Sequence, residues 1–384
     1  MKADLASVVS DLLRDARDFG SLASNCLGAW PIDVLRELER VAGSSADMNA
    51  RAARLVTDAS LFPLHRRRAA PSPLPVEHPL DSDWRFAAGE PRRLLGRVLS
   101  GLGPRDRFLL LCVPTIVLEA ARQGLAHRTV VAVRHGDPIA AAMRHAVPDA
   151  TYVELDKMPD MDAAAAAIDP PWHDDTALPL IERLCLGVRE GGMVLVTGPD
   201  VLTGASSAER LSIHRTDHQL PGLQRVGPWS KVRYRTPRFE ERAFQAAGIG
   251  NVPPAWRTGL VQAHRRTGEV ISPSSLHPAG QWRERVVDGH RIWVRPDAAD
   301  GLPFRIRVCD SVSSQSQFRR TASVWTSGNV VVVGGERAEL DRLLDASADA
   351  SRDRMLLALL EAERKAVGNA DLLPAERLPL SAMP

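Results

Sequence analysis

Cysteine is scarce in this sequence, and the four that occur lie far apart, at Cys26, Cys112, Cys185 and Cys309. With no close pair they form neither a disulfide framework nor a zinc knuckle, so we expect a reducing compartment and no metal site. An excess of charge is missing too, because 49 basic and 47 acidic residues leave a formal net charge of +2. That balance does not favour a nucleic-acid partner, and any polyanion would have to bind a local basic patch.

Long apolar runs are also missing. No stretch approaches the roughly 20 apolar residues that a spanning helix needs, and the first residues alternate charged with apolar side chains instead of forming a secretory core. We therefore expect a cytoplasmic protein with no membrane partner. A chain of 384 residues fits two or three domains.

Apolar spacing divides the chain into segments. Residues 1–68 show helical periodicity and predict a helical N-terminal domain, and the proline-rich residues 69–91 predict a linker. Near its end, Trp84 and Phe86 either fold over a ligand crevice or pack against the sheet that follows. The latter is the simpler reading, because large aromatic side chains are usually well buried.

Residues 92–268 alternate apolar runs with helical patterns. The pattern predicts an α/β domain with a Rossmann-like, doubly wound and mainly parallel sheet. Residues 269–370 predict a small β-rich (α+β) domain, with a hairpin turn at Asp288-Gly289. Residues 371–384 predict a loose tail.

The most specific motif is Asp169-Pro170-Pro171-Trp172, which follows the predicted strand at 164–168. The Asp169 carboxylate and the Pro170 carbonyl can each accept one N–H and so orient an amino nitrogen, while Trp172 stacks on a flat group or packs over a cation. The end of a parallel strand is also where open α/β sheets bind ligands. The plain structural alternative is a proline-rich strand exit with a buried tryptophan.

This motif and the strand order resemble class I S-adenosylmethionine-dependent methyltransferases, in the group whose fourth motif is Asp-Pro-Pro-aromatic. That group includes adenine amino-methyltransferases and some lysine methyltransferases, and the branched-chain polyamine synthases are similar. The resemblance implies S-adenosylmethionine, or its decarboxylated form, as cofactor. It also implies an amine-bearing small molecule or macromolecule as acceptor, with Asp169, Pro170 and Trp172 as catalytic residues.

The resemblance also assigns cofactor contacts, with departures from the family pattern. The first turn reads Cys112-Val113-Pro114-Thr115 and lacks the usual glycines, so Thr115 either caps the next helix or faces the ligand. Asp137 either reaches the ribose or is a turn residue before Pro138. Asp156 either holds the adenine amino group or is an exposed loop acid.

Acidic residues around the motif suggest the acceptor. His173 and Asp174 are candidate substrate contacts, and a crevice that also contains Glu154 and Asp156 would suit a cationic polyamine or lysine. Alternatively, Asp174 only begins the next helix, where acids are favoured.

Basic and histidine-rich stretches carry weaker signals. Lys231-Val-Arg-Tyr-Arg235 is either a binding strand or a half-exposed strand. A loop that covers the substrate, or plain surface, is a simpler interpretation of His214 and His218 than a metal site. The functions left open are methyl transfer, aminopropyl transfer to a polyamine, and a degenerate scaffold with protein partners at the terminal domains.

Overall fold

The computed structural model describes most of the chain, in fourteen stretches. These are residues 4–42, 46–61, 72–79, 84–134, 138–158, 161–172, 174–203, 222–251, 253–268, 282–287, 290–299, 301–308, 321–345 and 354–368. Within them, no helix combines the length and apolar character needed to cross a membrane.

The N-terminal region is helical, as predicted. Its helices are α1 (Leu5–Leu13), α2 (Phe19–Asn25), α3 (Pro31–Ala42) and α4 (Ala46–Ser60). Their apolar faces form one core that also includes Phe244 and Trp256 of the following region. The helices therefore pack on the central sheet rather than standing apart from it.

The central region is a seven-stranded sheet in the order β3-β2-β1-β4-β5-β7-β6. Its strands are β1 (Phe108–Leu111), β2 (Thr129–Val133), β3 (Thr151–Glu154), β4 (Ala163–Ile168), β5 (Val188–Pro199), β6 (Leu223–Arg233) and β7 (Thr258–Arg266). Strands β1 to β5 run parallel, and β7 pairs antiparallel with both β5 and β6. The predicted Rossmann-like, mainly parallel sheet is confirmed.

Helices cover both faces of this sheet. They are α5 (Glu90–Leu99), α6 (Pro114–Arg122), α7 (Pro138–Ala146), α8 (Asp174–Leu186) and α9 (Arg238–Ala246). One core joins α5, α6 and α7 to the sheet, and a second core lies under α8. Strand β4 is a run of five alanines and Ile168, all buried. Alanine has low strand propensity, so this segment forms a strand because it is buried on both faces of the sheet.

The C-terminal region forms a five-stranded antiparallel sheet in the order β10-β12-β11-β9-β8. Its elements are β8 (Arg283–Val287), β9 (His290–Val294), β10 (Arg305–Val308), β11 (Ala322–Thr326), β12 (Val330–Val333), α10 (Arg337–Leu344) and α11 (Arg354–Gly368). The small β-rich α+β region is confirmed. The predicted turn at Asp288-Gly289 lies outside the described residues, although Val287 pairs with His290 across it.

Two sets of contacts join this region to the rest. Buried Arg242 on α9 pairs with buried Glu363 on α11, and we call this pair the α9–α11 ion pair. Gly328 lies against it and donates its N–H to Glu363 Oε1 at 2.8 Å. Within residues 72–79, His78 Nε2 lies 3.0 Å from the Trp325 carbonyl oxygen. The predicted linker is therefore partly packed, with Leu74, Glu77 and His78 buried and Val76 exposed.

Several boundaries differ from the sequence prediction. Strand β6 begins at Leu223, although the sequence indicated a strand only at Lys231 to Arg235, because its first half is exposed and lacks apolar alternation. Helix α8 begins at Asp174, which is one of the two interpretations that the sequence left open for that residue. The first strand ends at Leu111, since Cys112 takes a φ of +56° and turns the chain out of the sheet.

Candidate functional site

Asp169 lies directly after β4, at the end of the sheet where the parallel strands terminate. Its side chain is buried, with 1% exposed. Atom Oδ1 accepts hydrogen bonds from the Thr197 hydroxyl and, at 2.9 Å, from the Tyr234 hydroxyl. The other oxygen, Oδ2, is buried and accepts no hydrogen bond of normal geometry from the described residues. One side of the carboxyl group is therefore fixed, and the other is available to a donor.

Burial raises the pKa of Asp169 from 3.8 to about 7, because the carboxylate loses its water. The hydroxyls of Thr197 and Tyr234, the nearby Trp172 indole and the charge of Arg257 oppose this shift by favouring the ionised form. The Trp172 indole acts from close range without making a regular hydrogen bond. Burial also raises the pKa of Tyr234 well above its usual value, and the neighbouring Asp169 charge adds to the shift. Tyr234 is therefore a neutral hydroxyl that donates to the carboxyl group.

Aromatic rings surround this carboxyl group. The rings of Trp84 and Trp172 lie 6.4 Å apart between centroids and within 8° of parallel. The Tyr234 ring stands edge-on to both, at 6.3 Å from Trp84 and 5.5 Å from Trp172. We call the space beside these three rings the acceptor slot. Trp84 and Trp172 are only half-buried, so the slot opens to solvent.

A short segment from before the sheet brings Trp84 to this position. Phe86 pairs with Tyr234 as an isolated antiparallel bridge, and the Ala87 N–H donates to the Arg233 carbonyl at 2.9 Å. Phe86 packs on the sheet, as one of the two sequence interpretations expects, and Trp84 faces the motif tryptophan. An open pocket of about 230 Å³, including its solvent-open part, adjoins Trp84. It is lined by Glu77, His78, Trp84, Arg85, Arg235, Pro237 and Phe239.

Arg257 lies beside the slot. Its guanidinium carbon is 4.1 Å from the Trp84 ring centroid and 5.5 Å from that of Trp172. The guanidinium group pairs with Glu240, which is fully buried and also accepts the Trp256 indole N–H at 2.9 Å. The charge is therefore held in place by a carboxylate and aromatic faces together.

The predicted cofactor turn has an unusual geometry. Cys112 adopts a left-handed φ of +56°, which costs a non-glycine residue about 1–2 kcal/mol. Pro114 is the first residue of α6, and Val113 rather than Thr115 occupies the N-cap position. The Thr115 hydroxyl oxygen is buried without a hydrogen-bond partner. The helix-cap interpretation of Thr115 is therefore not met, and its hydroxyl is available to a ligand.

The other predicted site residues are exposed, paired with cations, or only partly or not described by the structure. Asp156 follows β3 in a short 3-10 turn, 64% exposed at its side chain and 4.0 Å from Arg183. Glu154 pairs with Lys157 at 2.7 Å. Asp174 begins α8, its side chain lies outside the description, and Asp137 and His173 lie wholly outside the described residues.

The expected acidic crevice is thus partly neutralised by cations of the chain itself. Arg134, not an acid, directly follows β2. Within the described part of the chain, no group of three or more histidine, cysteine, aspartate or glutamate side chains is placed to hold a metal ion. The histidine pair at 214 and 218 falls outside that part.

Sequence reasoning missed several residues of this site, namely Thr197, Tyr234, Glu240 and Arg257. Only Tyr234 could have been found from the sequence. Residues Lys231 to Arg235 alternate between charged and uncharged side chains, and the uncharged ones, Val232 and Tyr234, are buried. The remaining three come from β5, α9 and the approach to β7, and nothing local in the sequence marks them.

No family model matches the sequence, and no curated protein matches it. Solved structures match at low similarity. A functionally unknown protein from Deinococcus radiodurans R1 is 17% identical over 47% of this chain and 90% of that one, with a TM-score of 0.30. The antibiotic-resistance methyltransferase Kmr is 16% identical over 47% and 94%, with a TM-score of 0.28.

A longer match is a mutant of MtNAS in complex with S-adenosylmethionine. It is 10% identical over 69% of this chain and 84% of that one, with a TM-score of 0.29. Values this low say nothing about what this chain binds or transfers.

Proposed function

We propose that this chain transfers a methyl group from S-adenosylmethionine to an amino nitrogen of an acceptor bound beside Asp169. The observation that carries the proposal is the buried Asp169 Oδ2, which accepts no hydrogen bond of normal geometry from the described residues while Oδ1 is held by two hydroxyl groups. An unpaired buried acceptor costs free energy unless a ligand supplies the missing N–H. An amino group supplies that donor.

The cofactor would lie across the ends of β1 to β4. The buried Thr115 hydroxyl lacks a partner and follows a turn in the left-handed conformation, so this turn fits a polar ligand although it lacks glycine. Asp156 lies at the end of β3, where it can meet the adenine amino group. When bound, S-adenosylmethionine supplies an electrophilic methyl group on a positively charged sulfur.

The chain's own residues position the acceptor. Asp169 Oδ2 and the Pro170 carbonyl each accept one N–H, which turns the nitrogen lone pair towards the methyl carbon. With S-adenosylmethionine bound, the nitrogen would take its methyl group, with an N–C bond formed in place of the S–C bond and the electron pair of that bond left on sulfur. The nitrogen then loses a proton, which Asp169 can accept because its pKa of about 7 lies near neutrality. Trp172 stacks against the acceptor, and the rate gain comes mainly from positioning.

Calorimetric titration with S-adenosylmethionine, S-adenosylhomocysteine and decarboxylated S-adenosylmethionine tests the proposal directly. We expect micromolar binding of the first two, weakened by Asp156→Ala or Asp137→Ala. The exposed Glu39→Ala on α3 is the matched control and should leave the affinity unchanged. Preference for the decarboxylated form would instead indicate aminopropyl transfer. If none of the three binds, both transfer reactions are refuted and a scaffold role takes their place.

A second experiment separates catalysis from binding. Asp169→Asn keeps the shape of the side chain but makes Oδ2 an amide nitrogen, which donates instead of accepting. We expect this variant to retain cofactor affinity and to lose transfer to amine acceptors. Transfer at the wild-type rate would remove Asp169 from the mechanism.

A further inference from the structure

Two arginines next to the slot rings converge on one carboxylate. Arg85 follows Trp84 in the chain, and Arg235 follows Tyr234. Arg235 Nε donates to Glu77 Oε1 at 3.2 Å, and Arg85 Nη1 lies 3.6 Å from Glu77 Oε2. The backbones of the two arginines are also joined, because the Arg235 N–H donates to the Arg85 carbonyl at 2.8 Å. Glu77 therefore holds together the two segments that carry these rings.

Glu77 is a buried charge, and a carboxylate taken out of water costs several kcal/mol unless it is paired. Its partner Arg85 is buried as well, whereas Arg235 stays partly exposed. An apolar residue in place of a buried ion pair is often no less stable, so the group is weak evidence of a contribution to stability. What these charges do provide is a fixed geometry between the Trp84 segment and the end of β6.

The residues on either side of Glu77 are attached to the C-terminal sheet. The Val76 carbonyl accepts a hydrogen bond from Arg291 Nη1 on β9 at 2.8 Å. The His78 ring stacks on Trp293 of the same strand, at 5.1 Å between centroids and 14° from parallel. The sheet thus sets the position of Glu77, and Glu77 sets that of its arginine partners.

Other charges lie near this group. Burial raises the pKa of Glu240, Arg257 opposes that shift, and the Glu77 carboxylate adds to it. Removal of the Glu77 charge would leave Arg85 and Arg235 to repel each other, since both contact that one carboxylate. The pairing between their backbones would then loosen. The charged and titratable groups around the slot are Arg85, Arg235, Arg257, Glu77, Glu240 and the Asp169 carboxyl group.

We propose that Glu77 is a positioning residue for the acceptor slot: anchored to the C-terminal sheet through its neighbours, it fixes Trp84 beside Tyr234 and Trp172. The C-terminal region is then a structural part of the site instead of a separate binding domain. The inference rests on the proposed function only for the reaction that the slot serves, because the contacts themselves can be measured without a ligand.

Amide hydrogen exchange measures this pairing directly. The reporters are the Ala87 N–H, which donates to the Arg233 carbonyl, and the Arg235 N–H. Glu77→Gln keeps the size of the side chain and removes its charge. We expect both amides to exchange about ten- to hundredfold faster, the effect of losing one charged hydrogen bond. The amides of the central strand β1 should keep their rates.

Glu37→Gln is the matched control. It also removes a carboxylate that pairs with an arginine, Arg40, but it does so in α3 of the N-terminal region. Neither reporter amide should change in this variant. Faster exchange in β1 as well as at the reporters of Glu77→Gln would show a global loss of stability and refute a local role of Glu77.

A second variant tests the anchor without removing the carboxylate. His78→Ala deletes the ring that stacks on Trp293 and leaves Glu77 in place. We expect the same two amides to exchange about three- to tenfold faster, the effect of losing one aromatic stack. The change is smaller than in Glu77→Gln because the Val76 contact remains. Unchanged exchange would refute the part assigned to the C-terminal sheet.

The titration of Asp169 separates positioning of the slot from a purely structural role. Burial raises the pKa of this carboxyl group to about 7, and a displaced Trp84 would let water reach it. The difference in unfolding free energy from Asp169→Asn, measured in each background, should move its midpoint down by about one unit in Glu77→Gln and in His78→Ala. Loss of the Glu77 charge would lower this pKa by itself, but His78→Ala removes no negative charge. An unchanged midpoint in His78→Ala would mean that the slot does not depend on the anchor.

The two proposals fail separately. If S-adenosylhomocysteine does not bind to the wild-type protein, the proposed function fails, and the exchange rates still report on Glu77. If S-adenosylhomocysteine binds and the reporter amides exchange alike in the wild-type protein and in Glu77→Gln, only the positioning role of Glu77 is refuted.

Discussion

The raised pKa of Asp169 should be visible in the stability of the protein, without any substrate. The perturbation is Asp169→Asn, which keeps the shape of the side chain and lets the hydroxyls of Thr197 and Tyr234 still donate to Oδ1. Only the ionisable group is removed. The difference between the two proteins therefore isolates the titration of one carboxyl group.

The magnitude follows from the shift. Burial raises the pKa of Asp169 from 3.8 in an exposed chain to about 7 in the folded protein. At about 1.36 kcal/mol per unit, a shift of about three units corresponds to about 4 kcal/mol. Between these two values the folded protein holds a proton that the unfolded chain has lost, so the free energy of unfolding falls as pH rises. The contribution is complete below the unfolded pKa and is lost as pH passes the folded one.

Denaturant unfolding of both proteins at intervals from pH 4 to pH 8 measures this. Relative to the Asn variant, the wild-type protein should lose about 4 kcal/mol over that range, with most of the slope between pH 5 and 7. A difference that stays constant with pH would refute the burial of an uncompensated carboxyl group. If the wild-type protein instead gained stability relative to the Asn variant as the pH rises, the hydrogen bonds and Arg257 would outweigh desolvation.

Three further changes test neighbouring features. Tyr234→Phe removes one hydrogen bond to the ionised carboxyl group, worth about 1.5–3 kcal/mol, so the midpoint of the Asp169 titration should rise by about 1–2 units in an unfolding series extended to about pH 10. Thr115→Val should weaken S-adenosylhomocysteine binding about three- to tenfold by calorimetry, while the free energy of unfolding stays equal or rises because an unpaired buried hydroxyl is lost. In Gly328→Ala the new Cβ would lie 1.5 Å from a guanidinium nitrogen of the α9–α11 ion pair, and we expect denaturant unfolding to show a loss of at least about 3 kcal/mol. Gly96→Ala is its control, since nothing lies within 4 Å of that position in α5, and it should stabilise by up to about 1 kcal/mol.

The architecture could be predicted from the sequence because buried strands and helices need apolar residues at characteristic local spacings. The apolar stretch from Phe108 to Leu111 is buried on both faces, as a central parallel strand requires. The motif at Asp169 follows β4 as predicted, so the sequence alone placed the carboxyl group at the end of the sheet where the parallel strands terminate. The first half of strand β6 was not predicted, because an exposed edge strand needs no apolar alternation.

The surroundings of Asp169 could not be predicted in the same way. Its hydroxyl partners Thr197 and Tyr234 are 28 and 65 residues away in the chain, and Arg257 reaches the slot from the approach to β7. Such contacts depend on strand order and register, which bring the ends of β4, β5 and β6 together only after the sheet has formed. The motif can be recognised from a single sequence. Which residues neutralise, orient or shield it depends on the fold.

The segment before the sheet also contributes to the surroundings of Asp169. Residues 84–87 add a short antiparallel pairing to β6, with hydrogen bonds from the Ala87 N–H to the Arg233 carbonyl at 2.9 Å and from the Arg235 N–H to the Arg85 carbonyl at 2.8 Å. This pairing covers the edge of β6 beside Tyr234 and fixes Trp84 opposite Trp172. Without it, the Tyr234 ring would lose its packing against Phe86, 5.1 Å away between centroids. Asp169 would then be less desolvated, and its pKa would fall towards that of an exposed carboxyl group. The chemistry proposed for Asp169 therefore depends on residues that precede the Rossmann-like sheet as much as on the motif within it.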